Sequence, residues 1–241
     1  MRIFLAGANG VIGRRLAPLL IAAGHAVTGT TRSAEKAAAL KTIGAEPIVV
    51  DVFDADALRD AVLGARPQVV IHQLTDLPDV IDPAQMPDVL KRNSRLRIEG
   101  TANLIAAARA AGAGRLIAQS IAFAYAEGPE PHAESDPLAS AEGDGPGAVT
   151  ARGLRALEDA VLNTPGIDGI VLRYGRLYGP ETWNTPNARA PLHVDAAAHA
   201  ALLAVTHGRP GVYNIAEDDG AVSIEKARQE LNFDPGFRAA V

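Results

Sequence analysis

The chain has 241 residues, 48% hydrophobic and 21% charged, a length and balance that suit one folded domain with a sizeable core and exclude a disordered chain. Its formal net charge of −5 carries no basic excess, which argues against general nucleic-acid binding. The absence of cysteine excludes disulfides, thiolate metal sites and a thiol nucleophile, and fits a reducing, cytoplasmic setting.

In chain order, Arg2 precedes a short apolar run, Ile3 to Ala6, which Gly7 cuts at once. That is too short for a signal peptide and reads as a strand buried on both faces. Val11 to Ala23 has helical spacing and Gly24 at its end; its apolar part, Leu16 to Ala23, is far below the ~20 residues of a membrane span. A strand at Ala26 to Thr31 follows, then a helix capped by Ser33 and running to Leu40. Pro47 to Asp51 is the third strand, Asp56 to Leu63 a helix, and Val69 to His72 the fourth strand. Pro87 to Ala111 reads as one long helix, and Arg115 to Gln119 as the fifth strand. Strict alternation of strand and helix predicts a parallel sheet covered on both faces, a Rossmann-type doubly wound α/β fold.

Residues 127–148 are rich in Gly, Pro, Glu, Asp and Ser and read as a loop. A helix at Ala151 to Leu162 and a strand at Gly169 to Arg173 continue the core. Ala196 to Thr206, Val212 to Ala216 and Ser223 to Leu231 then read as helix, strand and helix. One structural domain is expected, with a dinucleotide-binding part at 1–148 and remaining core elements with a small lobe at 149–241.

The turn Gly7-Ala8-Asn9-Gly10-Val11-Ile12-Gly13 closes the first strand and opens the first helix. Glycines at this spacing permit a tight turn, backbone approach to a pyrophosphate, and close packing of helix on strand. Free N–H groups at the helix start would hold the phosphates. Nineteen positions after Gly13, where NAD-preferring folds carry an acid, stands Arg32. An arginine fork suits a 2′-phosphate, and Arg14 is a second candidate, so NADP is expected ahead of NAD.

From these motifs the chain resembles the extended short-chain dehydrogenase/reductase superfamily of the epimerase/dehydratase type. Asp51-Val52 is similar to the pair that meets the adenine, and His72-Gln73-Leu74 to the segment behind the cofactor. Gly100-Thr101-Ala102-Asn103, Leu177-Tyr178-Gly179-Pro180, His193-Val194-Asp195 and Tyr213-Asn214-Ile215 resemble later family motifs in the same order. The resemblance implies dinucleotide contacts from Gly7, Asn9, Gly10, Val11, Ile12, Gly13, Arg14, Arg32, Asp51, Val52, His72, Gln73, Leu74 and Tyr174. It also implies a homodimer paired through the helices at 87–111 and 151–162.

The family's catalytic Asn, Ser, Tyr and Lys do not carry over. Local anchors put Arg97, Ile121, Thr150 and Leu154 at those positions, with Ser120 one residue early. No lysine lies between Lys91 and Lys226. Tyr125 is the candidate replacement acid/base or a packed aromatic, and Ser120 a candidate carbonyl partner or a strand-end cap. Arg176 is either a partner for an anionic substrate or a surface ion-pair residue. His132 reads as a surface histidine, Glu158 as part of a helix face, and Glu127, Glu130, Glu134 and Asp136 as solvated, without metal-ligand geometry. Only Glu181 to Leu192 separates two motifs that in extended family members flank a long substrate-binding insertion, so a small substrate is expected. Two readings result: an NADP-dependent oxidoreductase, less readily an epimerase, acting on a small carbonyl or hydroxyl compound, or a non-catalytic NADP(H) sensor.

Overall fold

The computed structural model describes residues 1–78 and 82–239; residues 240 and 241, at the end of the expected C-terminal lobe, fall outside that range. Seven strands form one sheet in the order β3-β2-β1-β4-β5-β6-β9, and every pairing is parallel. They are β1 (Arg2–Ala6), β2 (Ala26–Thr31), β3 (Glu46–Val49), β4 (Val69–His72), β5 (Arg115–Ile121), β6 (Asp168–Tyr174) and β9 (Gly211–Ile215). The helices between them are α1 (Gly13–Ala22), α2 (Ala34–Thr42), α3 (Ala55–Ala65), α4 (Met86–Arg95), α5 (Thr101–Ala110), α6 (Pro146–Leu162), α7 (Val194–Leu203) and α8 (Glu225–Leu231). This is the expected Rossmann-type α/β fold. Among the described residues no helix is long and apolar enough to cross a membrane.

Side chains alternate across a strand, so one short run feeds two cores. Ile3 and Leu5 pack with Leu16, Leu20 and the alanines of α7 on one face. Phe4 and Ala6 pack with Leu58, Val62, Leu104 and Leu157 on the other. The strand order reverses direction between β1 and β4, which opens a crevice at their carboxyl ends.

Three elements differ from the sequence reading. The long helix is interrupted by a π turn at Leu96–Gly100 between α4 and α5. The extra residue of a π turn shifts the helical phase by about 100°, but it occupies a single turn and no proline marks it, so the segment still reads as one helix. Helix α6 begins at Pro146, with proline in its first turn, rather than at Ala151. A two-stranded parallel sheet of β7 (Arg176–Tyr178) and β8 (Pro191–His193) was not foreseen, because three-residue strands lack enough pattern to register.

Candidate functional site

The glycine turn has the form its spacing predicts. Gly7 has φ +86°, and a Cβ there would lie 2.6 Å from the Gln73 carbonyl oxygen. A Cβ on Gly13 would be driven into the Gly7 carbonyl oxygen and the Ala8 backbone. The first position therefore needs glycine for both conformation and space, the second for helix-on-strand contact. Gly10 donates its amide to the Gly7 carbonyl at 3.1 Å and closes the turn. Helix α1 starts at Gly13, with Ile12 in the N-cap position making no side-chain cap and no acid in the first turn. The amides of Val11 and Ile12 donate to no described residue. Two side chains beside this cradle are similarly unsatisfied: the Asn9 amide nitrogen and the Gln73 amide oxygen are buried without hydrogen-bond partners. Buried polar atoms left unpaired cost free energy unless a ligand completes them. The residues present thus fit a dinucleotide.

The end of β4 is held from behind. Burial pushes the His72 imidazole down to about 4, so it is neutral at physiological pH. Its Nδ1 accepts the Leu74 amide at 3.2 Å, which leaves Nε2 to donate to Thr101 Oγ1 at 3.0 Å. Gln73 donates from Nε2 to the Tyr174 hydroxyl at 3.1 Å, a phenol whose pKa burial raises strongly. Asn103 donates to the Val52 carbonyl at 3.0 Å, and a Cβ on Gly100 would meet Val52 Cγ1 at 3.1 Å. The Gly-Thr-Ala-Asn motif therefore positions two cofactor-side segments, the one after β3 and the one after β4. Asp51 accepts the Phe53 amide and remains exposed at the rim.

Ser120, Arg173 and Asn214 lie in one row across β5, β6 and β9. Glu158 on α6 faces that row. Its Oε1 accepts from Ser120 Oγ at 2.6 Å and Arg173 Nε at 3.0 Å, and its Oε2 accepts from Arg173 Nη2 at 2.6 Å. Arg173 donates in turn to the Tyr125 hydroxyl at 2.8 Å, and Tyr125 donates to Asn214 Oδ1 at 2.6 Å. Burial raises the Tyr125 pKa against the pull of Arg173. Glu158 is 5% exposed, so it belongs to the interior network rather than to a helix surface. His132 is likewise buried, stacked on Tyr125 at 4.9 Å and bonded to Asp136 at 3.1 Å. Glu134 accepts the Asn214 amide at 2.9 Å. The loop's charge pattern suggested solvation because sequence does not show that it folds back over β9.

At the positions of the family's Tyr and Lys, Thr150 bonds its own helix at the Pro146 carbonyl, and Leu154 is fully buried. The arginines expected at the 2′-phosphate have intramolecular partners. Arg14 pairs with Glu181 at 3.0 Å, and Arg32, 66% exposed, pairs with Asp76 at 3.4 Å. Arg176 stacks on the exposed Phe123 ring at 4.2 Å. Sequence reasoning did not mark Arg97, Glu158 and Arg173 as one site. Their spacing along the chain carries no motif; three charged residues at apolar-periodic positions are the only trace.

A family profile described as NAD(P)H-binding matches residues 7–192. The chain is 40% identical over 246 residues to a Streptomyces protein named 3-diazoavenalumate denitrifying reductase, covering 93% of this chain and 79% of that one. It is 30% identical to the dTDP-4-dehydrorhamnose reductase of Streptomyces griseus, over 87% of this chain and 60% of that one. Among solved structures, UDP-glucose 4-epimerase from Thermotoga maritima shares the fold with a TM-score of 0.81 at 18% identity, over 99% of this chain and 94% of that one. The Thermus thermophilus UDP-glucose 4-epimerase solved with NAD gives 0.73 at 22% identity, over 98% and 85%.

Proposed function

Because the chain belongs to the NAD(P)H-binding family of short-chain dehydrogenase/reductase type, we propose that it is an NADPH-dependent reductase of a small, carboxylate-bearing electrophile, with an aromatic diazonium compound as the leading substrate class. One observation carries the reading: an intact dinucleotide cradle stands beside a network in which the hydroxyls of Ser120 and Tyr125 both donate within the protein. Ser120 donates to Glu158 and Tyr125 to Asn214, while Tyr174 accepts from Gln73 and is a buried phenol whose pKa is raised strongly, a poor proton donor. No lysine is near enough in sequence to lower a phenol in the family's manner. Ser120 and Tyr125 therefore serve best as positioning residues that fix Glu158 and Arg173, not as proton donors.

The turn from Gly7 to Gly13 would hold the pyrophosphate, Asp51 and Val52 the adenine, and Gln73, Leu74 and Tyr174 the nicotinamide side. Arg32 and Arg14 would turn from Asp76 and Glu181 to a 2′-phosphate; exposed pairs of this kind are worth about 0–1 kcal/mol and exchange readily. When bound, the dinucleotide supplies a hydride, and replacement of a diazonium group by hydride forms one C–H bond, releases dinitrogen and calls for no proton from the protein. Carbonyl reduction needs a proton as well as the hydride, which the hydroxyls of Ser120 and Tyr125, already donating within the protein, do not offer. The reductase named for a diazo substrate supports this choice of chemistry.

The test supplies a diazobenzoate and, separately, an aryl ketone, with NADPH deuterated at the transferable position. The expected result is dinitrogen release above the enzyme-free rate, with deuterium at the carbon that carried nitrogen and none drawn from heavy water. Turnover of the ketone alone would overturn the diazo assignment. Tight NADPH binding with no turnover of either would favour the sensor reading, which the same committed hydroxyls also support.

A further inference from the structure

Among the described residues, only three Asp, Glu, Lys or Arg side chains are buried: Arg97, Glu158 and Arg173. Two cations face one anion, so the interior carries one unmatched positive charge. Glu158 spends both oxygens on Arg173 and Ser120. Arg97 is the unmatched partner. It is 9% exposed and forms no hydrogen bond or ion pair with any described residue; Glu158 acts on it only through space. Burial pulls its pKa down to about 10, so it remains charged at neutral pH. Its nitrogens are not among the sealed unpartnered atoms, so they touch accessible space.

The backbone explains how it comes to be there. Arg97 lies in the π turn Leu96–Gly100, a distortion found often at functional sites. Its charge is felt by His72, at the carboxyl end of β4, and by Glu158, which grips Ser120 near the end of β5. That is the half of the crevice away from the glycine turn after β1, so the cofactor's pyrophosphate does not account for it. A desolvated guanidinium with five free donors in a fixed fork matches a carboxylate.

We propose that Arg97 is the anchor for the carboxylate of the substrate, presented by the π turn beside Ser120 and Glu158. The proposal rests on the reading that a small substrate occupies this crevice. Cinnamate and its neutral counterpart cinnamamide are the probes. Each is titrated calorimetrically into the full chain, wild type, Arg97→Gln and Arg97→Lys, with and without NADPH. Wild type should prefer cinnamate by about tenfold or more, the factor that about 1.4 kcal/mol represents. Arg97→Gln should abolish the preference, and Arg97→Lys should restore part of it. NADPH binding, followed by nicotinamide fluorescence, should be unchanged in all three.

Equal binding of the two probes, no binding of cinnamate, or a preference that survives Arg97→Gln would overturn the proposal. So would displacement of cinnamate by an equal concentration of chloride, which would mean an inorganic-anion site only. Should NADPH itself fail to bind, the cofactor reading falls, while the nucleotide-free titrations still decide the role of Arg97.

Discussion

Replacing Glu158 with methionine keeps roughly the volume of the side chain and removes the only buried Asp or Glu among the described residues. Arg173 loses two hydrogen bonds and Ser120 one, and the two buried guanidinium groups are left without a buried counter-charge among the described residues. Breaking one side of a buried pair costs about 3–5 kcal/mol. In a chain of this size each kcal/mol moves the melting temperature by about 2–4 °C, so the loss should be roughly 6–20 °C. Arg173→Met also breaks the pair but leaves Glu158 with the charge of Arg97, so its cost should be smaller, about 2 kcal/mol. Arg97→Met removes the unmatched cation, which holds no hydrogen bond, and should be neutral or raise stability by about 1 kcal/mol. Thermal and urea melts followed by circular dichroism read all three. The reasoning fails if Arg97→Met is as damaging as Glu158→Met, or if Glu158→Met is harmless.

Gly13→Ala places a Cβ against backbone rather than against a movable side chain, so it should cost about 1–3 kcal/mol of stability and abolish NADPH binding measured by fluorescence titration. Arg32→Ala should weaken NADPH binding about tenfold while leaving NADH nearly unchanged, since a charge-assisted bond to phosphate is worth about 1.5–3 kcal/mol; equal weakening of both nucleotides would remove the 2′-phosphate role. His72 has its folded pKa depressed from 6.5 to about 4, so the unfolded chain binds the extra proton between those values. Its contribution is present above pH 6.5 and lost as pH falls toward 4, amounting to about 2 kcal/mol between about pH 7 and pH 5. Urea midpoints across that range should show the slope in wild type and lose it in His72→Asn.

The geometry of the glycine turn and of the motif behind it was legible because it is local. Gly7, Gly10 and Gly13 answer to backbone geometry within one turn, and Gly100, Thr101 and Asn103 to contacts a single helix makes. The substrate half proposed above would be assembled from four distant places: Arg97, Ser120, Glu158 and Arg173. Glu158 meets Arg173 only because α6 crosses the end of β5, and nothing in the spacing of fifteen residues announces it. Arg97 was noticed as a departure from a pattern, but its inward aim depends on a π turn that periodicity does not encode. His132 was misread for the same reason, since the loop that carries it is acidic and polar yet packs against Asn214 through backbone.

The two halves also differ in what their charges can do. The family's lysine would shuttle and tune protons, but Leu154 fills that place and is sealed in the core. Positive charge returns from two other directions, Arg97 from the π turn and Arg173 from β6. A guanidinium stays charged at any pH the protein meets, even where burial lowers Arg97 to about 10. Fixed positive charge of this kind suits holding and orienting an anion rather than exchanging protons. On the proposed reading this is why hydride replacement with loss of dinitrogen suits the chain. The reaction asks the protein to grip a carboxylate and exclude water, the task proposed for Arg97, and not to supply a proton that the hydroxyls of Ser120 and Tyr125, already donating to Glu158 and Asn214, do not offer.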